Sequence, residues 1–537
     1  MGKDIRANNS AKWIIVTGGV VSGIGKGTAT AAIARLVKNG SRIVTVKCDG
    51  YLNVDPGTIN PIEHGEVFVL EDGGEVDMDF GHYERFIDIN CKFGWNLTSG
   101  KIFNSVIEKE RRGDYLGKTI QIIPHVIDEI KQKFYKIAEE ERADIMMIEI
   151  GGTVGDIENS WFVEAVRQLR KEVGNDNIVY IHLTYVPFLS SVGEPKTKPA
   201  QRDVALLREK GINPDIVIAR SRENLSEKIK SKLALMCDLE EFQVIIGRDI
   251  ETIYEIPLMF KQQGLADFLS RKFNVGHAEL SEWENLVNKI KNPEKEITVA
   301  VCGKYTQLHD SYASIIEALT HSAAHNNAAV KIKWIETTDI EEGKATPQEI
   351  LKGCSGLVVP GGFGTRGAEG KIKVIEYARK NNLPFLGLCY GLQLAVVEFA
   401  RNVCNLEANS TEISPDAKCP VIDILPEQKT VDRKGATMRL GACVADVKKG
   451  TKVFDLYKSD KVSERHRHRY EVNPEFHSVL EKNGLVFSGT SLNGRLVEFI
   501  ELPKHKYFVA TQSHPELKSR LMNPAPLFRG FVEACLG

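Results

Sequence analysis

The chain has 537 residues, of which 42% are apolar, 8% aromatic and 26% charged, and its 70 Lys+Arg nearly cancel its 72 Asp+Glu. A net charge of −2 excludes the basic excess of a general nucleic-acid binder. No apolar run approaches the ~20 residues of a membrane-spanning helix, and ten cysteines without a CxxC pair speak against a disulfide scaffold. A length of this order accommodates two to four domains, and the composition predicts a cytoplasmic protein.

The first half alternates short apolar runs with helical stretches. Runs at 13–17, 43–47, 145–149, 178–182, 216–219 and 244–246 lack polar alternation, as strands buried on both faces of a parallel sheet do. Apolar spacing predicts helices over 28–38 and 120–141. This is a doubly wound α/β pattern.

The first run leads into Gly18-Gly19-Val20-Val21-Ser22-Gly23-Ile24-Gly25-Lys26-Gly27-Thr28, with a helix directly behind it. Glycines let backbone N–H groups face phosphate oxygens, and a lysine at the helix start reaches the outer phosphates. Val20 and Gly27 break the standard phosphate-loop motif at two positions. Glu149 ends the third run before Gly151-Gly152, at the sheet edge where α/β proteins bind ligands. Asp79 lies in an acidic stretch, and both carboxylates are hard donors suited to Mg²⁺. Lys196 and Lys198, between Pro195 and Pro199, read on spacing alone as an exposed basic turn rather than as a grip for a polyanion beside Gln201.

From about 274 to 295 the chain turns polar, and a second α/β series begins at 297–302 and continues at 357–359, 385–388, 496–500 and 508–510. The expected division is therefore a first domain over 1–275, a linker over 276–296 and a second domain over 297–537. The charged stretch 426–435 reads as a loop. Gly387-Leu-Cys389-Tyr-Gly391 has the form of a nucleophile elbow, in which small neighbours permit a sharp strand-to-helix turn that exposes sulfur. His514 can pair with that thiolate and Glu516 can orient the imidazole. Gly361-Gly362-Phe363-Gly364 can supply backbone donors to an oxyanion.

GxCxG, the later HPE and the upstream PGGFG together resemble a class I glutamine amidotransferase domain, with Cys389, His514 and Glu516 as its triad. The first half carries NVDPGT, HGEVFV, GHYERF, ERRGDYLG, EIGGTVGDIE and KTKP, and the second adds ATMRLG and RHRHRYEVN. Together these resemble the CTP synthase family from Trp13 onward. The resemblance implies an N-terminal doubly wound P-loop sheet of dethiobiotin-synthetase type and a C-terminal α/β glutaminase. It implies that ATP phosphorylates the 4-oxygen of UTP, and that ammonia from glutamine, or free ammonia, displaces the phosphate to give CTP. It further implies GTP activation, CTP inhibition, a homotetramer that can form filaments, and neither nucleic-acid nor membrane partners.

Residue by residue, the resemblance assigns Gly23, Ile24, Gly25, Lys26, Gly27, Thr28, Lys47, Asp79 and Ile250 to ATP, and Asp79 and Glu149 to Mg²⁺. It assigns Ser22, Asp156, Ile157, Glu158, Lys196, Thr197, Lys198, Pro199, Ala200, Gln201 and Lys232 to UTP or CTP. Glutamine falls to Gly362, Tyr390, Gly391, Leu392, Gln393, Glu412 and Arg469, with His466 and Arg467 bordering that pocket. Three departures from the family pattern stand out: Gly23-Ile24 for Ser-Leu, Gly50 for proline, and Tyr390 for leucine.

Overall fold

The computed structural model describes all residues except 1–10, 20, 22, 58, 60–64, 190–192, 305–308 and 426–437. Ser22 and the loop expected at 426–435 lie outside the described residues. The chain groups into two units, Met1–Asp55 with His82–Glu284, and Pro56–Gly81 with Asn285–Gly537.

In the first unit, seven strands form one parallel sheet: β1 (Lys12–Gly18), β2 (Ile43–Asp49), β3 (Asn96–Thr98), β4 (Ile145–Ile150), β5 (Ile178–Tyr185), β6 (Ile216–Ser221) and β7 (Val244–Arg248). Their order is β7-β6-β5-β1-β4-β2-β3. Continuous apolar runs produce strands covered on both faces, as the complete burial of Ile14, Ile15 and Val16 shows. The register aligns Val16 with Glu149 and Lys47 with Glu149, so the polar residues at the strand ends stand side by side. Helix α1 (Lys26–Val37) starts at the lysine, two residues earlier than the spacing predicts.

The helix expected over 120–141 begins only at Ile127. Pro124 disfavours helical backbone at the residue before it, and Ile123 is extended, with φ −107 and ψ 122. The stretch expected as a linker carries a helix, Ser281–Lys291. Its Trp283 is fully buried in the first unit and donates Nε1–H to the Tyr254 carbonyl at 2.8 Å.

The second unit is built on a nine-stranded sheet: β8 (Lys295–Gly303), β9 (Ala328–Glu336), β10 (Gly356–Val359), β11 (Phe385–Leu388), β12 (Arg439–Val447), β13 (Lys461–His468), β14 (Val486–Ser491), β15 (Val497–Glu501) and β16 (Phe508–Thr511). Its order is β9-β8-β10-β11-β16-β15-β14-β12-β13, with β9 through β16 parallel and the remaining pairs antiparallel.

A division at 275–296 alone would leave residues 56–81 with the first half, but they belong to the second unit. A small hairpin, Phe68–Val69 with Glu75–Val76, is held there by two arginines of the RHRHR stretch. Arg465, fully buried, donates to the carbonyls of Val69 (3.1 Å) and Leu517 (3.3 Å) and pairs with Glu71 at 3.2 Å. Arg467 pairs with Glu75 at 2.8 Å. A buried guanidinium needs such partners, and no spacing rule reveals that they come from so far upstream.

Candidate active sites

Cys389 directly follows strand β11, and helix α3 (Tyr390–Asn402) begins at the next residue. Cys389 is held at φ 48, ψ −98, a strained backbone for a residue with a side chain. The flanking glycines are required by space. A Cβ on Gly387 would stand 2.8 Å from that of Ala510, and one on Gly391 would stand 2.2 Å from the Val359 carbonyl oxygen. The Cys389 N–H donates to the Thr511 carbonyl at 2.7 Å, which pins the elbow to β16.

Beyond β16 the chain delivers His514, whose N–H donates to the Arg465 carbonyl at 2.7 Å. Its Nδ1 lies 2.6 Å from Glu516 Oε1, which leaves Nε2 for the sulfur. Burial disfavours the imidazolium, but the charges of Glu516 and Cys389, with hydrogen bonds to both, push its pKa up to about 10. The loop after β10 closes over His514 and Cys389: a Cβ on Gly361 would lie 2.7 Å from His514 Cε1 and 3.6 Å from Cys389 Cβ.

That loop is tied at three points. Lys304 donates to the Phe363 carbonyl, the Tyr390 hydroxyl donates to the Gly364 carbonyl at 2.8 Å, and the Gly364 N–H donates to Glu412 at 2.6 Å. Tyr390 therefore does here what a leucine cannot. Burial raises the Glu412 pKa against the opposing influence of the Gly364 N–H and Lys304. A cavity of about 390 Å³ opens beside Cys389, lined by Gly362, Phe363, Arg467, His514 and Lys371 among others. Burial, then Lys304, brings Lys371 down to about 8.

Of the residues expected around glutamine, Gly362 lines this cavity and Tyr390, Gly391, Leu392 and Gln393 form the first turn of α3. Glu412 reaches the site through Gly364, while Arg469 stands one residue past β13, half-buried. His466 and His468 lie 3.0 Å apart and fully buried, and burial with the nearby Arg439 drives both pKa values well below the ordinary range. They are buried polar residues rather than a basic patch. The motifs do not mark Gln512, buried beside Cys389 with Nε2 3.5 Å from its Sγ. Its place two residues before His514, at the end of a buried strand, was the available signal.

In the first unit the candidate residues cluster at the C-terminal strand ends. Gly23 (φ 75) and Gly25 (φ 85) adopt left-handed backbone leading into α1, which any larger residue would resist. Ile24 is buried. The Lys26 stem crosses Gly18, where a Cβ would stand 2.8 Å from Lys26 Cδ, and its ammonium donates to the Gly152 carbonyl at 2.6 Å. Gly27 and Thr28 complete the first turn.

Buried Lys47 lies 3.4 Å from Asp49 and 3.8 Å from Glu149, whose other oxygen accepts from Tyr83 at 2.5 Å. Asp79 opens the helix Asp79–Ile87 and groups with the second unit, whereas Glu149 belongs to the first. Among the described residues no group of three or more His, Cys, Asp or Glu is arranged to hold a metal. One or two carboxylates still suit Mg²⁺ that arrives with nucleotide phosphates.

After β4, Asp156 accepts from the Thr153 N–H (2.7 Å) and hydroxyl (2.8 Å), shaping the turn that exposes Ile157 and Glu158. Gly50 has a reason of its own here: a Cβ would meet Asn159 Oδ1 at 2.5 Å and Glu158 Cβ at 2.8 Å. After β5, Lys196 pairs with Glu194, whose carboxylate it holds below the usual range with help from Lys232. Helix α2 (Lys198–Glu209) starts with Lys198, Pro199 and Ala200, and Gln201 donates to the Thr197 hydroxyl at 3.0 Å. Ile250 follows β7 by two residues.

Asp203 of α2 was not anticipated. Its carboxylate lies 3.1 Å from His182, whose Nδ1 lies 2.8 Å from the Thr17 hydroxyl, all three buried. A Cβ on Gly19 would fall 1.6 Å from Asp203 Oδ1. Gly19 is thus a glycine for room beside Asp203.

Two family models match the chain. One, described as CTP synthase N-terminus, matches residues 12–275, and one described as glutamine amidotransferase class-I matches 307–534. CTP synthase of Caldanaerobacter subterraneus subsp. tengcongensis is 52% identical over 530 residues, 98% of each chain. That of Methanococcus maripaludis is 52% identical over 534 residues, covering 98% of this chain and 99% of the relative. Among solved structures, the Trypanosoma brucei CTPS glutaminase domain with bound acivicin is 36% identical, with TM-score 0.41, over 45% of this chain and 94% of that one.

Proposed function

The chain belongs to the CTP synthase family, a family of glutamine-hydrolysing carbon–nitrogen ligases, and from that premise we propose how its two sites divide the work. In the second unit the Cys389 thiolate attacks the carboxamide carbon of glutamine, and the C–N bond breaks as His514 gives its proton to the departing ammonia. Water then cleaves the glutamyl thioester, releasing glutamate and restoring the thiol. Glu516 keeps the imidazole oriented, and the 360–364 loop offers its N–H groups to the tetrahedral oxyanion. Glutamine itself is held by Gly362, the first turn of α3, Glu412 and Arg469.

In the first unit the γ-phosphoryl group of ATP passes to the 4-oxygen of UTP. Ammonia adds at the ring carbon that bears this oxygen, and the C–O bond breaks as inorganic phosphate leaves to give CTP. Lys26 and Lys47 exchange their protein partners for ATP phosphates, joined by the loop from Gly23 to Thr28 and by Ile250. Ser22, Asp156, Ile157, Glu158, the segment from Lys196 to Gln201 and Lys232 receive the pyrimidine nucleotide. Asp79 and Glu149 would hold Mg²⁺, which neutralises phosphate charge when bound.

GTP activation, CTP inhibition and a cytoplasmic setting are carried from the family. A homotetramer is carried from the family as well, and exposed apolar side chains at Ile107, Leu116, Ile122 and Ile123 are available for a subunit contact. Among the described residues no helix is long and apolar enough to cross a membrane.

The observation that carries this reading is the strained Cys389 elbow with His514 and Glu516 in register behind it. Purified protein supplied with UTP, ATP, Mg²⁺ and either ammonia or glutamine should form CTP from both. Cys389→Ala should lose only the glutamine-driven reaction. Absence of CTP from both sources in the unsubstituted chain would overturn the reading.

A further inference from the structure

Gln512 stands between two residues of the glutaminase site. Its Nε2 lies 3.5 Å from Cys389 Sγ, and its Oε1 accepts from Gln393 Nε2 at 3.3 Å. Both side chains are buried, Gln512 completely and Gln393 to within 3%. The polarity of this pair follows from a third contact. Gln393 Nε2 also lies 2.9 Å from the Tyr470 carbonyl oxygen, which can only accept. Gln393 must therefore present its amide nitrogen on this side, and the same nitrogen donates to Gln512. Gln512 then meets it with oxygen, which turns its own NH₂ toward the sulfur.

The backbone holds the arrangement still. The Gln512 N–H donates to the Glu498 carbonyl at 2.9 Å, and the Gln393 N–H donates to the Cys389 carbonyl at 3.2 Å.

We propose that Gln512 is a catalytic residue of the glutaminase site, donating an oriented N–H to the Cys389 thiolate, with Gln393 as the positioning residue that fixes its direction. An N–H aimed at sulfur is worth more to the thiolate than to the thiol, because hydrogen bonds to charged acceptors are the stronger ones. Other groups around the sulfur are His514 and Glu516 of the HPE turn, Arg467 paired with Glu75, and Lys304, Lys371 and Glu66 of the cavity wall. His514 interacts electrostatically with the sulfur, the thiol lies 3.8 Å from the Arg467 carbonyl oxygen, to which it can donate, and Gln512 supplies an uncharged donor to the sulfur.

The inference rests on the reading of Cys389 as the nucleophile and is tested through the sulfur itself. Iodoacetamide alkylation of Cys389, followed on its own peptide by mass spectrometry across pH, reports the thiolate. Gln512→Met keeps the volume and removes the donor; its alkylation rate at neutral pH should fall about 10-fold, with the midpoint about one pH unit higher. Gln512→Glu places a carboxylate against the sulfur and should move the midpoint further in the same direction. Gln393→Met should give a smaller upward shift, since Gln512 keeps its donor but loses its orientation. Packing damage alone would not rank Glu above Met. Midpoints unchanged in both Gln512 variants, or a Glu variant that matches Met, would overturn the proposal. Thermal unfolding of each variant identifies any that fails to fold, and the remaining variant then decides against the unsubstituted chain. CTP formation from ammonia by the unsubstituted chain tests the underlying reading separately.

Discussion

The two sites differ in what their charged groups are doing before any ligand arrives. At Cys389 the reactive groups are one another's partners: sulfur with His514, His514 with Glu516, and Glu412 with the loop that closes over them. At the edge of the parallel sheet the cations are engaged with protein groups. Lys26 rests on the Gly152 carbonyl, Lys47 lies between Asp49 and Glu149, and Lys196 is held by Glu194. A nucleophilic site can be assembled in advance because its chemistry runs among its own side chains. A polyanion site must instead keep its cations solvated or paired until the polyanion displaces those partners.

This contrast can be broken experimentally. Lys26→Ala should lower CTP formation from both nitrogen sources by at least about 10²–10³-fold, as expected when a preorganised cation is removed from developing charge. Turnover with ammonia near that of the unsubstituted chain would show that Lys26 is merely a partner of Gly152.

Glu516→Gln should reduce glutaminase turnover about 10²-fold. Glu516 is the strongest influence raising the His514 pKa against burial. Its loss therefore lowers that pKa, and the alkaline limb of the pH–rate profile should move to lower pH. An unmoved limb would mean that the imidazolium is set by the sulfur alone.

Gly19→Ala sharpens the comparison at the other site. A Cβ there collides with Asp203, and ATP-dependent turnover should drop about 10- to 100-fold. The double variant Gly19→Ala/Asp203→Ala should recover most of it. If it does not, phosphate rather than Asp203 demands the glycine. The smallest effect is expected from Tyr390→Phe, which leaves the Gly364 carbonyl without that donor. It should cost about 1 kcal/mol in thermal unfolding and only a few-fold in glutaminase turnover.

The sequence was most readable where cause and effect are neighbours in the chain. The elbow at 387–391 is legible because its glycines flank the cysteine in one short motif, although the groups they make room for, Ala510 and Val359, lie far away in the chain, and buried parallel strands announce themselves by unbroken apolar runs. Reading fails where the cause is remote. Gly19 looks like a phosphate-loop glycine until Asp203 is seen against it. That residues 56–81 group with the second unit becomes visible only when Arg465 and Arg467 are seen holding Glu71 and Glu75. The late start at Ile127 was legible after all, since Pro124 lies inside the apolar pattern that predicted an earlier one. Gln512 carries no motif, and its meaning depends on which way two amides face.

The backbone of Cys389 has one more consequence. At φ 48, ψ −98 the preferred tenant on conformational grounds is glycine, because a Cβ in such backbone costs about 1–3 kcal/mol. Selection for robustness and selection for turnover therefore pull on this codon in opposite directions. A variant library enriched by heating alone, with no assay for glutamine cleavage, would drift toward replacing Cys389. Any programme to harden this protein has to score chemistry at every round.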